Sequence, residues 1–429
     1  MTACPHALSV RTLMLTGTNP KYTKAYNVRI VLETIRLFGP LSRVEIAHRT
    51  ELTTQTVSNI TRRLIEAGLI LEADRLQKSR GAPATLLKLH PDGAFSIGLD
   101  LDKDHLTGVL VDLAGNVRQR MAHDLNFPSP PEAMDLMDTT AEALIEREGV
   151  SYEQIWGVGV GFPGLLGVPR GSRAANLVSL KALPGWTNIP VADILKERLS
   201  LPICLENNAT AAAIGERWYG DGQHISTFFY VFLGGGLGGG LIINGQPFEG
   251  STGNAGELGL FPAPFEADET SLYQRPHLGV HFNLPRLYRL LTEHGISVSR
   301  PAELEALFEQ KNESILAWLE TGATHLAPLI LAIEYLIDPK AIFFGGRLPD
   351  VIIRDLLEQV EATLHALRVE EKTSYPELRL AAAGVDAAAL GAATLPLFTS
   401  FTPTPRLLMT RSNSAQHDLV PAHRSSVPD

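Results

Sequence analysis

The chain has 429 residues, 45% hydrophobic and 20% charged, enough for two or three domains with separate cores and ordinary for a soluble globular protein. Its two cysteines, Cys4 and Cys204, exclude a disulfide framework, and the composition shows no apolar run of membrane-spanning length and no apolar leader, so a cytoplasmic protein without membrane contact is expected. The net charge of −10 is unevenly spread: residues 1–90 hold 13 Lys and Arg against 6 Asp and Glu, and the remainder 24 against 41. A head of net charge +7 on a body of −17 fits a protein that touches nucleic acid only through its head.

Residues 1–26 are expected to form a flexible arm that ends in Lys21, Tyr22 and Lys24. Val28, Val31, Leu32, Ile35 and Phe38 then recur at helical spacing until Gly39-Pro40 stops the helix. Ser42-Arg43-Val44-Glu45 has the form of a capping box opening a short second helix to about Arg49. Thr53 opens a third helix, closed by Gly68, whose buried stripe is Val57, Ile60 and Leu64. Thr54, Gln55, Ser58, Asn59, Arg62 and Arg63 lie off that stripe. Gln and Asn can bond adenine edges in pairs, Ser and Thr bond several bases, and arginines near the helix end suit phosphates, as Arg43 does at the preceding helix. A short helix, a tight turn and such a helix together predict a recognition helix in the major groove of double-stranded DNA; the plain alternative is a solvated face of a three-helix bundle.

Two strands follow, Leu69–Leu71 and Thr85–Leu89, around a turn with Arg75, Lys78, Ser79, Arg80 and Gly81. They predict a β-wing whose Lys78 and Arg80 reach the minor groove or track phosphate, completing a winged helix-turn-helix over 27–92. From Phe95 strands, glycine-rich turns and helices alternate, as in an α/β fold with ligands at strand ends. Phe95–Leu101 and Leu106–Leu113 form a hairpin turning through Asp102–His105; further strands are Ile155–Gly161, Pro202–Glu206, Phe228–Leu233, Leu241–Gly245 and Ala341–Phe344, with Gly234–Gly240 as a loop. Residues 399–429, rich in Pro, Ser and Thr, are expected to be a disordered tail.

Seven segments in order then resemble the ROK family of repressors, open reading frames and sugar kinases: Gly98-Leu99-Asp100, Gly159–Gly164, Pro184–Pro190, Glu206-Asn207-Asn208-Ala209, Gly234–Gly240, Gly253–Gly259 and Phe344-Gly345-Gly346. With the N-terminal reader, the resemblance is to the repressor branch, which includes xylose and N-acetylglucosamine repressors. It implies that 93–398 form a two-lobed, actin-like sugar-kinase fold serving as sensor of a small carbohydrate. It also implies a sugar site at Asn207, Asn208 and Glu257, where the plain alternatives are a helix cap for each Asn and a surface carboxylate for the Glu.

Departures from the family pattern bear on activity. Family kinases resemble Asp-x-Gly-Gly-Thr-Lys after the first strand; here Asp102, Lys103, Asp104 and His105 fill the turn, and two carboxylates repel a triphosphate. The kinase general base resembles an Asp where this chain has Asn208, and an amide takes no proton near neutral pH. The Gly234–Gly240 segment is then better read as a tight hairpin. The family's zinc-site His is Leu260 here, and no cysteine lies between Gly259 and Leu291, so neither metal nor cofactor is expected; His277 and His281 are read as surface or cleft histidines. The expected protein is a non-catalytic, sugar-controlled DNA-binding regulator acting as a homodimer or dimer of dimers on a pseudo-palindromic operator. An active sugar kinase with a DNA-binding head, and a constitutive DNA-binding protein with a ligand-less sensor, are the alternatives.

Overall fold

A computed structural model of the chain describes residues 20–76, 84–164, 177–178, 185–262 and 277–401. The polypeptide divides between His90 and Pro91 into two units, the second running to Phe398.

In the first unit, helix α1 (Pro20–Phe38) buries Val28, Val31, Leu32 and Ile35. It starts six residues before the end expected for the arm, since its first two turns carry polar residues that give no apolar period. Strand β1 (Leu41–Ser42) leads into α2 (Arg43–Thr50), opened by the reciprocal Ser42–Glu45 box. Helix α3 (Thr54–Glu66) is capped by Thr53, whose hydroxyl accepts from the Thr56 N–H at 3.2 Å. Gly68, at φ +70°, turns the chain into β2 (Ile70–Leu76), which pairs antiparallel with β3 (Ala84–Leu89). Two-residue β1 completes a sheet of order β1-β3-β2, a pairing across 45 residues invisible to local pattern.

The second unit holds two five-stranded sheets. The first contains β4 (Phe95–Leu101), β5 (His105–Asp112), β6 (Val117–Asp124), β7 (Ile155–Phe162) and, after the short pair β8 (Leu177–Val178) and β9 (Ile189–Pro190), β10 (Ile203–Asn207). Its order is β10-β7-β4-β5-β6, with β10, β7 and β4 parallel. Strands β4 and β5 are buried along their whole length, packing with α4 (Pro130–Glu148) and α5 (Val191–Leu199) into one core. Trp186 joins that core and donates from Nε1 to the Pro128 carbonyl at 2.9 Å.

Helix α6 (Asn208–Tyr219) leads to the second sheet: β11 (Phe228–Leu233), β12 (Leu237–Ile243), β13 (Gln246–Pro247), β14 (Ala341–Gly346) and β15 (Glu377–Leu380), in order β13-β12-β11-β14-β15. Gly234–Gly240 is the tight hairpin expected in place of an open phosphate loop: Gly234–Gly236 turn, and Gly238, Gly239 and Gly240 are ladder residues of β12. Helices α7 (Leu278–His281), α8 (Leu284–Glu293), α9 (Glu303–Glu309), α10 (Glu313–Leu336) and α11 (Asp350–Leu367) cover this sheet in a second core. By length and composition alone α10 is long and apolar enough to cross a membrane, although Glu320 and Glu334 interrupt its apolar run. Ile315, Leu319, Leu326 and Ile330 of this helix lie in the second core.

Helix α12 (Ala387–Phe401) ends the described chain and takes in the first three residues of the tail expected over 399–429; residues 402–429 lie outside the described residues. It packs at backbone distance. A methyl on Gly391 would meet the Ala211 carbonyl oxygen at 1.7 Å, one on Gly159 that of Ala392 at 1.8 Å, and one on Gly98 that of Ala389 at 1.9 Å. Gly391→Ala should therefore cost about 3 kcal/mol or prevent folding, whereas Gly236→Ala, which meets nothing within 4 Å, should change stability by under about 0.5 kcal/mol. Urea midpoints of both variants test this; a Gly391→Ala loss below about 1 kcal/mol would show that the helix can shift aside.

Candidate functional site

The first unit presents one polar helix face. Thr54, Gln55, Asn59, Arg62 and Arg63 of α3 are exposed and Ser58 is half-buried, while Val57, Ile60, Thr61 and Leu64 point inward. Gln55, Asn59 and Arg62 lie at i, i+4 and i+7 and share a face. Arg62 donates to Asn59 Oδ1 at 3.3 Å, so the two are held side by side. Arg43, expected on DNA, is turned to the protein: its Nε donates to Thr61 Oγ1 and its Nη2 to Glu72 Oε1, both at 3.1 Å. That tie links α2, α3 and β2. Lys78 and Arg80 lie outside the described residues.

In the second unit, the first sheet brings carboxylates and amides to the C-terminal ends of its parallel strands. Asp100 on β4 pairs in register with Gly161 on β7, and Gly161 with Glu206 on β10. Glycine at the middle position leaves space: a methyl there would lie 3.3 Å from Asp100 Oδ1 and 3.7 Å from Asn208 Cα. Asp100 is 3% exposed, and its Oδ1 has no hydrogen-bond partner among the described residues. Asn208 is also buried, at the first position of α6. Asn207, expected beside it as a ligand group, is largely spent on structure. Its Oδ1 accepts from the N–H groups of Ala209 (2.8 Å) and Thr210 (3.2 Å), and its Nδ2 donates to the Gly164 carbonyl (2.9 Å). One amide hydrogen of Asn207 remains.

Glu257 reaches the same region by another route. Gly256, at φ +96°, lies so close to Gly239 of β12 that a methyl would meet the Gly239 oxygen at 2.4 Å. The adjacent Gly238 abuts Ala209, the neighbour of Asn208. Burial holds the Glu257 carboxyl above the usual carboxylate range. His277 caps α7 and shares its Nδ1 with the Leu260 carbonyl at 3.0 Å, while His281 ends that short helix; residues 263–276 lie outside the described residues.

The Asp102–His105 turn builds a charged cluster. His105, 2% exposed, has Nε2 at 3.2 Å from Asp100 Oδ2 and Nδ1 at 2.7 Å from Asp104 Oδ1. Carboxylates only accept, so both bonds require the imidazolium. Burial alone would lower the His105 pKa; the bonds to Asp100 and Asp104 outweigh it and push it up to about 9. Asp102 is fully buried and lifted by burial, and the neighbouring Asp104 carboxylate adds to the rise. Its carboxylate oxygens lie against Gly235, 2.7 and 2.8 Å from where a methyl there would sit, and Lys103 Nζ donates to the Gly235 carbonyl at 3.3 Å. Two residues that the sequence reading passed over join this cluster: Arg347, which draws the Asp104 carboxyl down, and Tyr288, whose hydroxyl feels the Asp104 charge. A cation directly after Gly345-Gly346 was the available signal for Arg347; Tyr288 gave none, since it lies within the apolar pattern of α8.

The model of the ROK family matches residues 96–272 and 288–397. A xylose repressor of Caldicellulosiruptor bescii is 30% identical over 254 residues, 59% of this chain and 62% of its own length. The chain thus spans about three-fifths of that repressor. An N-acetylglucosamine repressor of Escherichia coli is 28% identical over 56% of this chain and 58% of its own. Among solved structures, a ROK family transcriptional regulator, a homologue of the E. coli Mlc protein, superposes with TM-score 0.70 over 90% of this chain and 98% of its own at 20% identity, a likeness of fold. The fold also matches a ROK hexokinase from Thermus thermophilus, with TM-score 0.53 over 70% of this chain and 96% of its own at 25% identity.

His105 makes stability pH-dependent. Its folded pKa lies above the ordinary 6.5, so its contribution is complete below about pH 6.5 and is lost as pH rises through about 9. The loss across that window should be about 3 kcal/mol in urea titrations. His105→Gln should be less stable at pH 6 and should flatten the alkaline decline; an unchanged pH profile in that variant would show that the imidazolium is not what holds the turn.

Proposed function

The chain is a member of the ROK family, and from that premise we propose that it is a DNA-binding transcriptional regulator, a repressor, whose operator affinity is set by a small carbohydrate. In this reading residues 27–92, extended by the first turns of α1, form a winged helix-turn-helix, and 93–398 form the two-lobed, actin-like sensor. The observation that carries it is α3, with Gln55, Asn59 and Arg62 exposed on one face and Val57, Ile60 and Leu64 buried on the other. Such a helix, capped and tied through Arg43, matches a reader that inserts into the major groove, with Gln55 and Asn59 toward base edges and Arg62 and Arg63 toward phosphates. Thr54 and Ser58 lie beside them, and Lys78 and Arg80 are assigned to the wing tip. The names of the repressor relatives support the same assignment.

The sugar is placed at Asn208, Glu257 and the remaining N–H of Asn207, with Asp100 at the floor. Amides and carboxylates at strand ends suit vicinal hydroxyls. Catalysis is assigned to none of them. Asp102 and Lys103 occupy the space beside Gly235 where a family kinase would admit phosphate, and Asn208 is no base. The protein works in the cytoplasm as a homodimer or dimer of dimers on a two-fold operator.

Replacing Gln55 or Asn59 by Ala should relax base choice at one position per half-site by about 1–3 kcal/mol, while Arg62→Ala should weaken all duplexes alike. Selection of binding sites from random duplexes measures both, and equal base preference in all three proteins would defeat the assignment of α3. A monosaccharide that raises the melting midpoint should alter operator affinity in the parent protein and not in Glu257→Ala, whose ligand-free DNA binding stays intact. The same sugar with ATP and magnesium should give no sugar phosphate; steady turnover would instead establish the kinase reading.

A further inference from the structure

A groove of about 740 Å³ runs between the N-terminal turns of α1 and the outer side of α3. Lys24 and Asn27 line it from α1, Asn59, Arg62 and Arg63 from α3, and Ile60 is the only apolar lining residue among the described residues. No lining side chain among the described residues is a carboxylate, so three cations face one concavity without a described counter-charge in its wall. Lys24 is exposed and has no acidic neighbour in the first turn of its helix. Lys24 and Asn27 stand at i and i+3, on one side of α1 next to the buried Val28 and Val31. The cations thus come from two helices, Lys24 and Arg62 standing 38 residues apart in sequence, yet they open onto the same space as the α3 residues assigned to DNA.

We infer that this groove seats the sugar-phosphate backbone of the duplex strand bordering the major groove that α3 enters, with Lys24 and Asn27 of α1 bonding its phosphates. The inference rests on the DNA-binding reading and deepens it: it assigns to α1 a part of the DNA interface. A polyanion is the partner that the charge selects, because concave walls of one sign focus the field and concentrate an oppositely charged chain. The two amides, Asn27 and Asn59, add neutral donors of the kind that fix register on phosphate oxygens. Base identity plays no part, so these contacts act on every duplex equally. Lys24 and Asn27 are positioning residues for α3, setting how deeply and at what angle it docks.

The test is fluorescence anisotropy of the full chain with a duplex of about 30 base pairs of arbitrary sequence, across a salt series. Lys24→Ala, Asn27→Ala, Lys24→Arg and, as a control of equal charge change, Lys196→Ala at an exposed position of α5 are compared with the parent. Lys24→Ala should lower the slope of log affinity against log salt by about 0.9, equivalent to about an eightfold loss at 0.1 M salt. Lys24→Arg should restore the slope, Asn27→Ala should weaken binding severalfold at unchanged slope, and Lys196→Ala should match the parent. An unchanged slope in Lys24→Ala, with a reduced slope in Arg62→Ala, would overturn this inference and leave the assignment of α3 standing. Failure of the parent to bind any duplex would remove both. Melting midpoints of each variant equal to the parent's show that the differences are not unfolding.

Discussion

The second unit depends on one close approach of backbones. Helix α12 lies against β4, β7 and α6 at distances that only hydrogen permits at Gly98, Gly159, Gly215 and Gly391. Its own contribution is alanine: Ala387, Ala389, Ala392 and Ala393 make those contacts. Such a seam has no long side chains to rearrange, so it transmits position rather than absorbing it. The residues of the first sheet proposed to hold the sugar lie just beyond it. Gly98 precedes Asp100 by two residues, Gly159 precedes Gly161 by two, and the start of α6 carries Asn207 and Asn208. The strand ends are therefore placed by contacts that contain no functional group.

Next to that seam the protein concentrates charge in a dry place. Asp100, Asp102 and His105 are all but sealed from water. An isolated buried carboxylate is costly, and here the cost is offset by alternation: His105 between Asp100 and Asp104, Lys103 on the Gly235 carbonyl, and the charge of Arg347 acting on Asp104. Removing one member leaves its partners uncompensated. The arrangement therefore acts as a unit, and it spans from the first sheet's hairpin to the second sheet's Gly234–Gly236 turn. A turn made of glycines would leave this space open, whereas the present residues fill it with their own counter-ions.

Much of the first unit was legible because its signals are local. The Ser42–Glu45 box, the Thr53 cap and the Gly68 stop depend on residues three or four apart, and each forms as the spacing implies. The strands of the second unit were legible for the same reason, as short apolar runs, of which β11 leads into glycine and β14 ends in it. What escaped depends on distant partners. The first turns of α1 have no apolar period to show. Strand β1 exists through β3, and Gly238–Gly240 are strand because α6 lies on them, so glycine there marks close packing rather than a loop. The membrane-length character of α10 was missed because its few charges break the run in sequence, yet not in sum. At the site, residue type was readable and direction was not: Asn207 was singled out for its amide, and that amide mainly holds a helix end.

The internal tie at Arg43 has a bearing on how such a protein diversifies. Because Arg43 ties Thr61 on the inward side of α3 to Glu72 of β2, the outward residues of α3 carry little of the unit's stability, and exchanges at exposed positions typically shift stability by no more than about 0.5 kcal/mol. Gln55 and Asn59 are free to drift without penalty to the scaffold. For the proposed DNA reader, new target preferences are then reachable by single substitutions from a folded parent, each intermediate viable, so duplicated copies could part company in what they recognise long before they part company in shape.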